Sequence, residues 1–106
     1  MKKELLNNIV EEIIDEVDAE KIILFGSYAS GEENENSDLD LLIIEKESFK
    51  NRSRRDEISK VRDRLSKYRV PKDILIYDEN EIEEWKDSIN HVIARSLREG
   101  KVLYER

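Results

Sequence analysis

The sequence predicts an α/β protein, a small mixed β-sheet of three to four strands packed with helices. Two observations point there. Amphipathic repeats with apolar residues three and four apart alternate with short runs that are almost wholly apolar, as strands covered on both faces are. The joints between them fall at Gly26, Gly31, Pro71 and Gly100, residues that stop regular structure. Elements alternating in this way stack as helices over a sheet.

In order, Leu5, Leu6, Ile9, Val10, Ile13, Ile14 and Val17 predict a helix over residues 3–17 whose apolar stripe needs a sheet to cover. The run IILF predicts a buried strand over residues 21–25, stopped by Gly26, with a single helical turn through Ser27 to Ser30 ended by Gly31. A polar, turn-like stretch over residues 32–37 leads into a second apolar strand over 38–44. Ile58, Val61 and Leu65 mark a thin stripe on a charged helix over 49–68, ended by Val70-Pro71 because a residue before proline avoids the helical region. DILIY predicts a third strand over 73–77. Ile82, Trp85, Ile89, Val92, Ile93 and Leu97 predict one last helix over 81–99, with Gly100 as its C-cap and an edge strand after it.

Length and composition narrow the function. With 106 residues the chain is expected to form a single domain over 1–106, since two cores would each bury too little to offset chain entropy. A net charge of −7 argues against broad nucleic-acid binding. A local exception is the basic stretch from Lys50 to Arg69, read as a solvated helix face or as a docking surface for an acidic partner or nucleotide. The absence of cysteine removes disulfides and thiolate metal sites. No apolar run approaches the roughly 18 residues that span a bilayer, and the N-terminal repeat carries acidic residues unlike a secretory leader, so no membrane association and a cytoplasmic location are expected.

The candidate chemistry lies between Phe25 and Glu45. Side chains at i and i+2 of a strand face the same way, so Asp38 and Asp40 project together with Cα atoms roughly 6–7 Å apart. Two aspartates in the otherwise apolar LDLLII are costly to desolvate unless metal or partners compensate. Carboxylates without His or Cys suit Mg²⁺ or Mn²⁺ and disfavour zinc. Asp73, opening the third strand, is the candidate third carboxylate, with Asp78 as the fallback. Gly26 has no Cβ to obstruct a close approach, and Ser27 adds a hydroxyl and an N–H, so the pair can cradle the phosphates of ATP or another nucleoside triphosphate. Trp85 is expected in the core, His91 on a helix surface, and Tyr28 either packed or stacked on a base.

The pattern G-S-x-A-x-G-x5-S-D-x-D-L, carried here by Gly26, Ser27, Ala29, Gly31, Ser37, Asp38, Asp40 and Leu41, resembles the minimal nucleotidyltransferases of the DNA polymerase β superfamily. The ending GKVLYE is also similar to theirs, and the resemblance covers nearly the whole chain. It implies Asp38, Asp40 and Asp73 as the catalytic and metal-holding set, and Gly26 and Ser27 as the nucleotide-binding pair. Ser30 stands where many relatives carry arginine, which removes a phosphate contact. Chains this short are similar to the antitoxins of HEPN toxin pairs, which implies transfer of AMP from ATP to a tyrosine hydroxyl of a HEPN-domain partner. Two alternatives stay open: an antitoxin that binds its partner without catalysis, and a nucleotidyltransferase acting on a small molecule. Homo-oligomers are compatible with the sequence.

Overall fold

The computed structural model describes residues 3–34 and 37–106. Part of the polar stretch expected over 32–37, Glu35 and Asn36, lies outside the described residues. The order is α1 (Lys3–Glu16), β1 (Ala19–Phe25), α2 (Ser27–Ser30), β2 (Leu39–Glu45), a 3-10 turn (Phe49–Asn51), α3 (Arg54–Leu65), β3 (Lys72–Asp78), α4 (Glu79–Trp85), α5 (Val92–Glu99) and β4 (Lys101–Glu105). The four strands form one mixed sheet in the order β3-β2-β1-β4. β1 pairs antiparallel with both β2 and β4, whereas β2 and β3 run parallel and are joined through α3. The predicted α/β class, with a small mixed sheet and helices packed on it, is the one found.

Strand alternation divides the core into two sides. Ile22, Leu24, Leu41, Ile43, Ile74 and Ile76 pack with Ile9 and Ile13 of α1 and Val61 and Leu65 of α3. Ile23, Leu42 and Ile44 face the other way, packed with Phe25, Leu75, Tyr77 and Ile82. Both faces are therefore covered, which is why β2 reads as nearly unbroken apolar sequence. Asp40 shares the second face with Leu42 and Ile44, and Asp73 shares it with Leu75 and Tyr77.

Two predicted helices are shorter than their apolar repeats suggest. The helix expected over 49–68 begins as a 3-10 turn, and α3 starts only at Arg54 because the Ser53 side chain accepts the Asp56 N–H as an N-cap. It stops at Leu65, five residues ahead of Val70, where the Ser66 hydroxyl donates to Asp63 O at 2.8 Å. The single helix expected over 81–99 is two. Asp78 opens α4 with a capping box to Glu81, and the chain leaves helix after Trp85 through a polar turn holding Asp87, Ser88 and Asn90. His91 then caps α5, its Nδ1 accepting the Ile93 N–H at 3.1 Å. Consequently Trp85 is not core: it is 40% exposed and stacks on the His91 ring with centroids 4.6 Å apart. His91 in turn is a half-buried cap rather than a helix-surface residue. Ile89, which fits the repeat, is 81% exposed in the turn. Tyr28 packs against the main core.

Much of the basic stretch is spent on internal ion pairs. Arg64 of α3 reaches Glu12, Asp15 and Glu16 of α1 at 2.9, 3.3 and 3.2 Å, and Lys67 pairs with Glu12 as well. Arg54 holds Glu81 of α4 and donates to Ile76 O at 2.7 Å. Arg52 bridges Glu45 and Glu57, each at 2.9 Å. These pairs fasten α3 and its flanks to α1, α4 and the sheet, so a large share of the charge is neither a solvated face nor a docking surface.

Glu45, at the end of β2 away from Asp40, is 1% exposed, and its Oε2 has no hydrogen-bond partner among the described residues. Burial, then the neighbouring Glu57, push its carboxyl up to about 7 against the pull of Arg52. Because the folded pKa lies above the ordinary 4.5, this group's contribution to stability is complete below pH 4.5 and is lost as pH rises through about 7. Glu45→Gln, which still accepts from Arg52, is expected to flatten that fall and to melt higher than wild type on the alkaline side. Parallel melting curves across that window check it, and identical pH profiles would refute it.

Candidate active site

The site forms where β1 ends beside the start of β2. Gly26 leaves β1 at φ 72°, ψ −156°, a region open essentially to glycine alone. A Cβ there would collide with the Asp40 carboxylate, lying over Oδ2 and 3.1 Å from Cγ. Glycine is required at this point twice over, by backbone angle and by the side chain resting against it. The single turn α2 follows, with Ala29 and Ser30 N–H groups donating to Gly26 O, and Gly31 closes it in the left-handed conformation.

Sheet register assembles the carboxylates. Asp40 lies opposite Phe25 on β1 and opposite Asp73 on β3. Asp38 is two residues earlier, just ahead of β2, and is exposed, as is Asp73. Asp40 is half-buried, and its carboxyl is raised above the usual carboxylate range by burial first, then by the charges of Asp73 and Asp38. Asp73 and Asp38 thus both lie near enough for their charges to act on Asp40. The fallback Asp78 sits at the opposite end of β3, buried, accepting the N–H groups of Glu81 and Phe49 at 2.9 Å, and is fully used as a helix cap.

A cleft of about 730 Å³ opens beside Asp40 between α2 and α5. Phe25, Gly26, Ser27, Ser30 and Glu32 line one side, and Asn90, Val92, Arg95, Ser96 and Glu99 the other. Sequence reasoning missed the α5 wall. Its available signal was Ser96, a hydroxyl on the helix face that buries Ile93 and Ala94. Gly100 brings this wall in: a Cβ there would stand 2.9 Å from Leu24 O, so the turn from α5 into β4 can lie tight against β1.

A donor set of carboxylates without His or Cys suits a hard divalent cation, and the mutual repulsion that raises Asp40 is what such a cation would relieve. Among the described residues, no three acidic, His or Cys side chains stand close enough together to hold one.

Residues 6–103 match the family described as Nucleotidyltransferase domain. The chain belongs to that family. A protein of Methanocaldococcus jannaschii, provisionally named a protein adenylyltransferase, is 32% identical across the whole of this chain and 76% of its own length. Among solved structures, a provisionally named nucleotidyltransferase from Sulfolobus solfataricus is 25% identical, with a TM-score of 0.66 over 97% of this chain and 79% of that one. A toxin-antitoxin structure with AMP-PNP (23% identical, TM-score 0.63, covering 95% of this chain and 73% of that one) shares the fold. So does a chain of the solved structure of a tri-AMPylated Shewanella oneidensis HEPN toxin in complex with MNT antitoxin (21% identical, TM-score 0.59, covering 100% of this chain and 74% of that one). The resemblance to nucleotidyltransferases therefore holds, and the chain is a nucleotidyltransferase. Enzymes of this family generally use divalent metal ions. Among the described residues no helix is long and apolar enough to cross a membrane.

Proposed function

We propose that this nucleotidyltransferase moves AMP from ATP to a tyrosine hydroxyl of a HEPN-domain partner and so acts as an antitoxin, with Mg²⁺ held by Asp38, Asp40 and Asp73. The observation that carries this reading is the register of Asp40 beside Asp73, with Asp40 lining the same cleft as the Gly26-Ser27 turn. The relative named for protein adenylylation and the fold shared with toxin-bound antitoxins support the acceptor class.

A divalent cation held by these carboxylates would neutralise phosphate charge and make pyrophosphate a better leaving group. Gly26 and Ser27 hold phosphate oxygens through backbone N–H groups that a first helical turn leaves without intrahelical partners, and through the Ser27 hydroxyl. Asp73, exposed at the strand end, orients the incoming hydroxyl and accepts its proton as the oxygen bonds to the α-phosphorus. The bond from that phosphorus to the bridging oxygen breaks in the same displacement, and pyrophosphate departs. Most of the rate then comes from positioning and charge neutralisation.

A second reading, partner binding without transfer, draws support from the finding that no three acidic side chains among the described residues are close enough to hold a cation. Incubating the protein with Mg²⁺, α-labelled ATP and a lysate of its source cell, beside Asp38→Asn, separates the two. Label on a discrete protein band that disappears with Asp38→Asn is expected. A partner retained on immobilised protein with no label would instead favour occlusion, and label on a small molecule would move the acceptor to that class.

A further inference from the structure

Resting on the nucleotide reading of this cleft, we infer that Arg95 grips the polyphosphate of the nucleoside triphosphate from the α5 wall. Among the described lining residues Arg95 is the one cation, against the acidic Glu32, Asp40 and Glu99. The opposite wall offers the hydroxyls of Ser27 and Ser30, and that of Ser30 is already directed to Ser27 O at 3.2 Å. A polyanion entering such a cleft needs positive charge beyond what a cation near Asp40 supplies, and only α5 carries it.

The helix presents this arginine in a fixed place while leaving its guanidinium uncommitted. Ile93, Ala94 and Ser96 around it are buried, and its own N–H bonds to His91 O at 3.1 Å, so the backbone at 95 is anchored. Its one ion pair among the described residues is with Glu99, at 3.7 Å, and both side chains are about two-thirds exposed (67% and 63%), so water screens it. The forked donors therefore stay available to phosphate oxygens, which they match in pairs. Ser96, at the next position, lines the same cleft with a buried hydroxyl that has no partner among the described atoms. Buried polar groups are ordinarily satisfied. An unpartnered one beside Arg95 marks this wall as one that a polar ligand completes.

Displacement of a fluorescent ATP analogue in Mg²⁺ by ATP, inorganic triphosphate and adenosine tests the assignment on the intact chain. Arg95→Ala is expected to weaken ATP and triphosphate by about tenfold each, leave adenosine unchanged, and keep the melting temperature, with Arg95→Lys falling between. Unchanged ATP and triphosphate affinity in Arg95→Ala would overturn it. So would a loss seen with ATP and adenosine but not triphosphate, which would assign Arg95 to the nucleoside. If wild type itself binds neither ATP nor triphosphate, the nucleotide reading of the cleft falls, and this assignment with it; wild-type binding matched by Arg95→Ala removes only the assignment.

Discussion

Asp40→Asn is expected to lose transfer activity by on the order of 10³-fold or more, while its metal-free melting temperature equals or exceeds that of wild type. The two halves share one cause. Asp40 is the half-buried member of the acidic set, and its carboxyl is raised above the ordinary 3.8 by burial and by the charges of Asp73 and Asp38. A raised folded-state pKa means that the ionised form costs the folded protein stability: the contribution is complete below 3.8 and is lost as pH rises through the shifted value. Asparagine keeps the shape and does not titrate, so the variant gains on wild type near neutral pH and the two converge in acid. Mg²⁺ reverses the order, because a ligand bound only by the folded state stabilises it, and only wild type retains the full donor set. Melts in chelator and in Mg²⁺ at neutral and acidic pH, together with label transfer, measure all of this. A clear fall in the chelated melting temperature would mean that Asp40 is structural, and full activity would remove the mechanism.

Asp73→Asn separates the roles within the set. Asp73 is exposed, so its substitution should cost activity with a smaller gain in metal-free stability than Asp40→Asn shows, since it removes one repulsive charge from Asp40 and leaves the burial.

The meeting of Asp40 with Asp73 was legible because it depends on short-range rules. Strand alternation was expected to put Asp38 and Asp40 on one side, although β2 begins only at Leu39, and the parallel pairing of β2 with β3 brings Asp73 to Asp40. The sheet was legible for the same reason, since strands buried on both faces leave little room for any other pattern. What the sequence did not reveal depends on competition between local and long-range terms. From Glu81 to Glu99 the apolar spacing is continuous, yet Asp87, Ser88 and Asn90 favour turns, and the His91 cap restarts the helix with a new axis. Periodicity carries no record of that break. It is this break that frees α5 to pack on β1 and to supply the second wall of the cleft, so the missed helix end and the missed Arg95 are one omission. The basic stretch was opaque for another reason: Arg64 finds its partners on α1, some 48 to 52 residues away in sequence. Local charge patterning has no means of showing such pairs.

Gly26→Ala is expected to damage both the fold and the chemistry, whereas Gly31→Ala should spare the chemistry. Both glycines have positive φ, 72° and 78°, so conformational freedom alone does not distinguish them. Their surroundings do. A Cβ at Gly31 meets nothing within 4 Å, and its left-handed angles are ones that other residues adopt at a cost of about 1 kcal/mol. At Gly26 the angles belong to a region that non-glycine residues scarcely enter, worth roughly 1–3 kcal/mol of strain, and the added methyl occupies the space of the Asp40 carboxylate. Relief requires that Asp40 swing away or that the turn retreat from β2, and either movement separates the phosphate-holding turn from the carboxylates. Gly26→Ala should therefore lose most of its transfer activity at temperatures where it is still folded, and lose the Mg²⁺-induced rise in melting temperature. Gly31→Ala should melt slightly lower and keep both. If Gly26→Ala retained activity and the Mg²⁺ response at wild-type levels, the close approach of Asp40 to the turn would be incidental, and the nucleotide would have to be held from α5 alone.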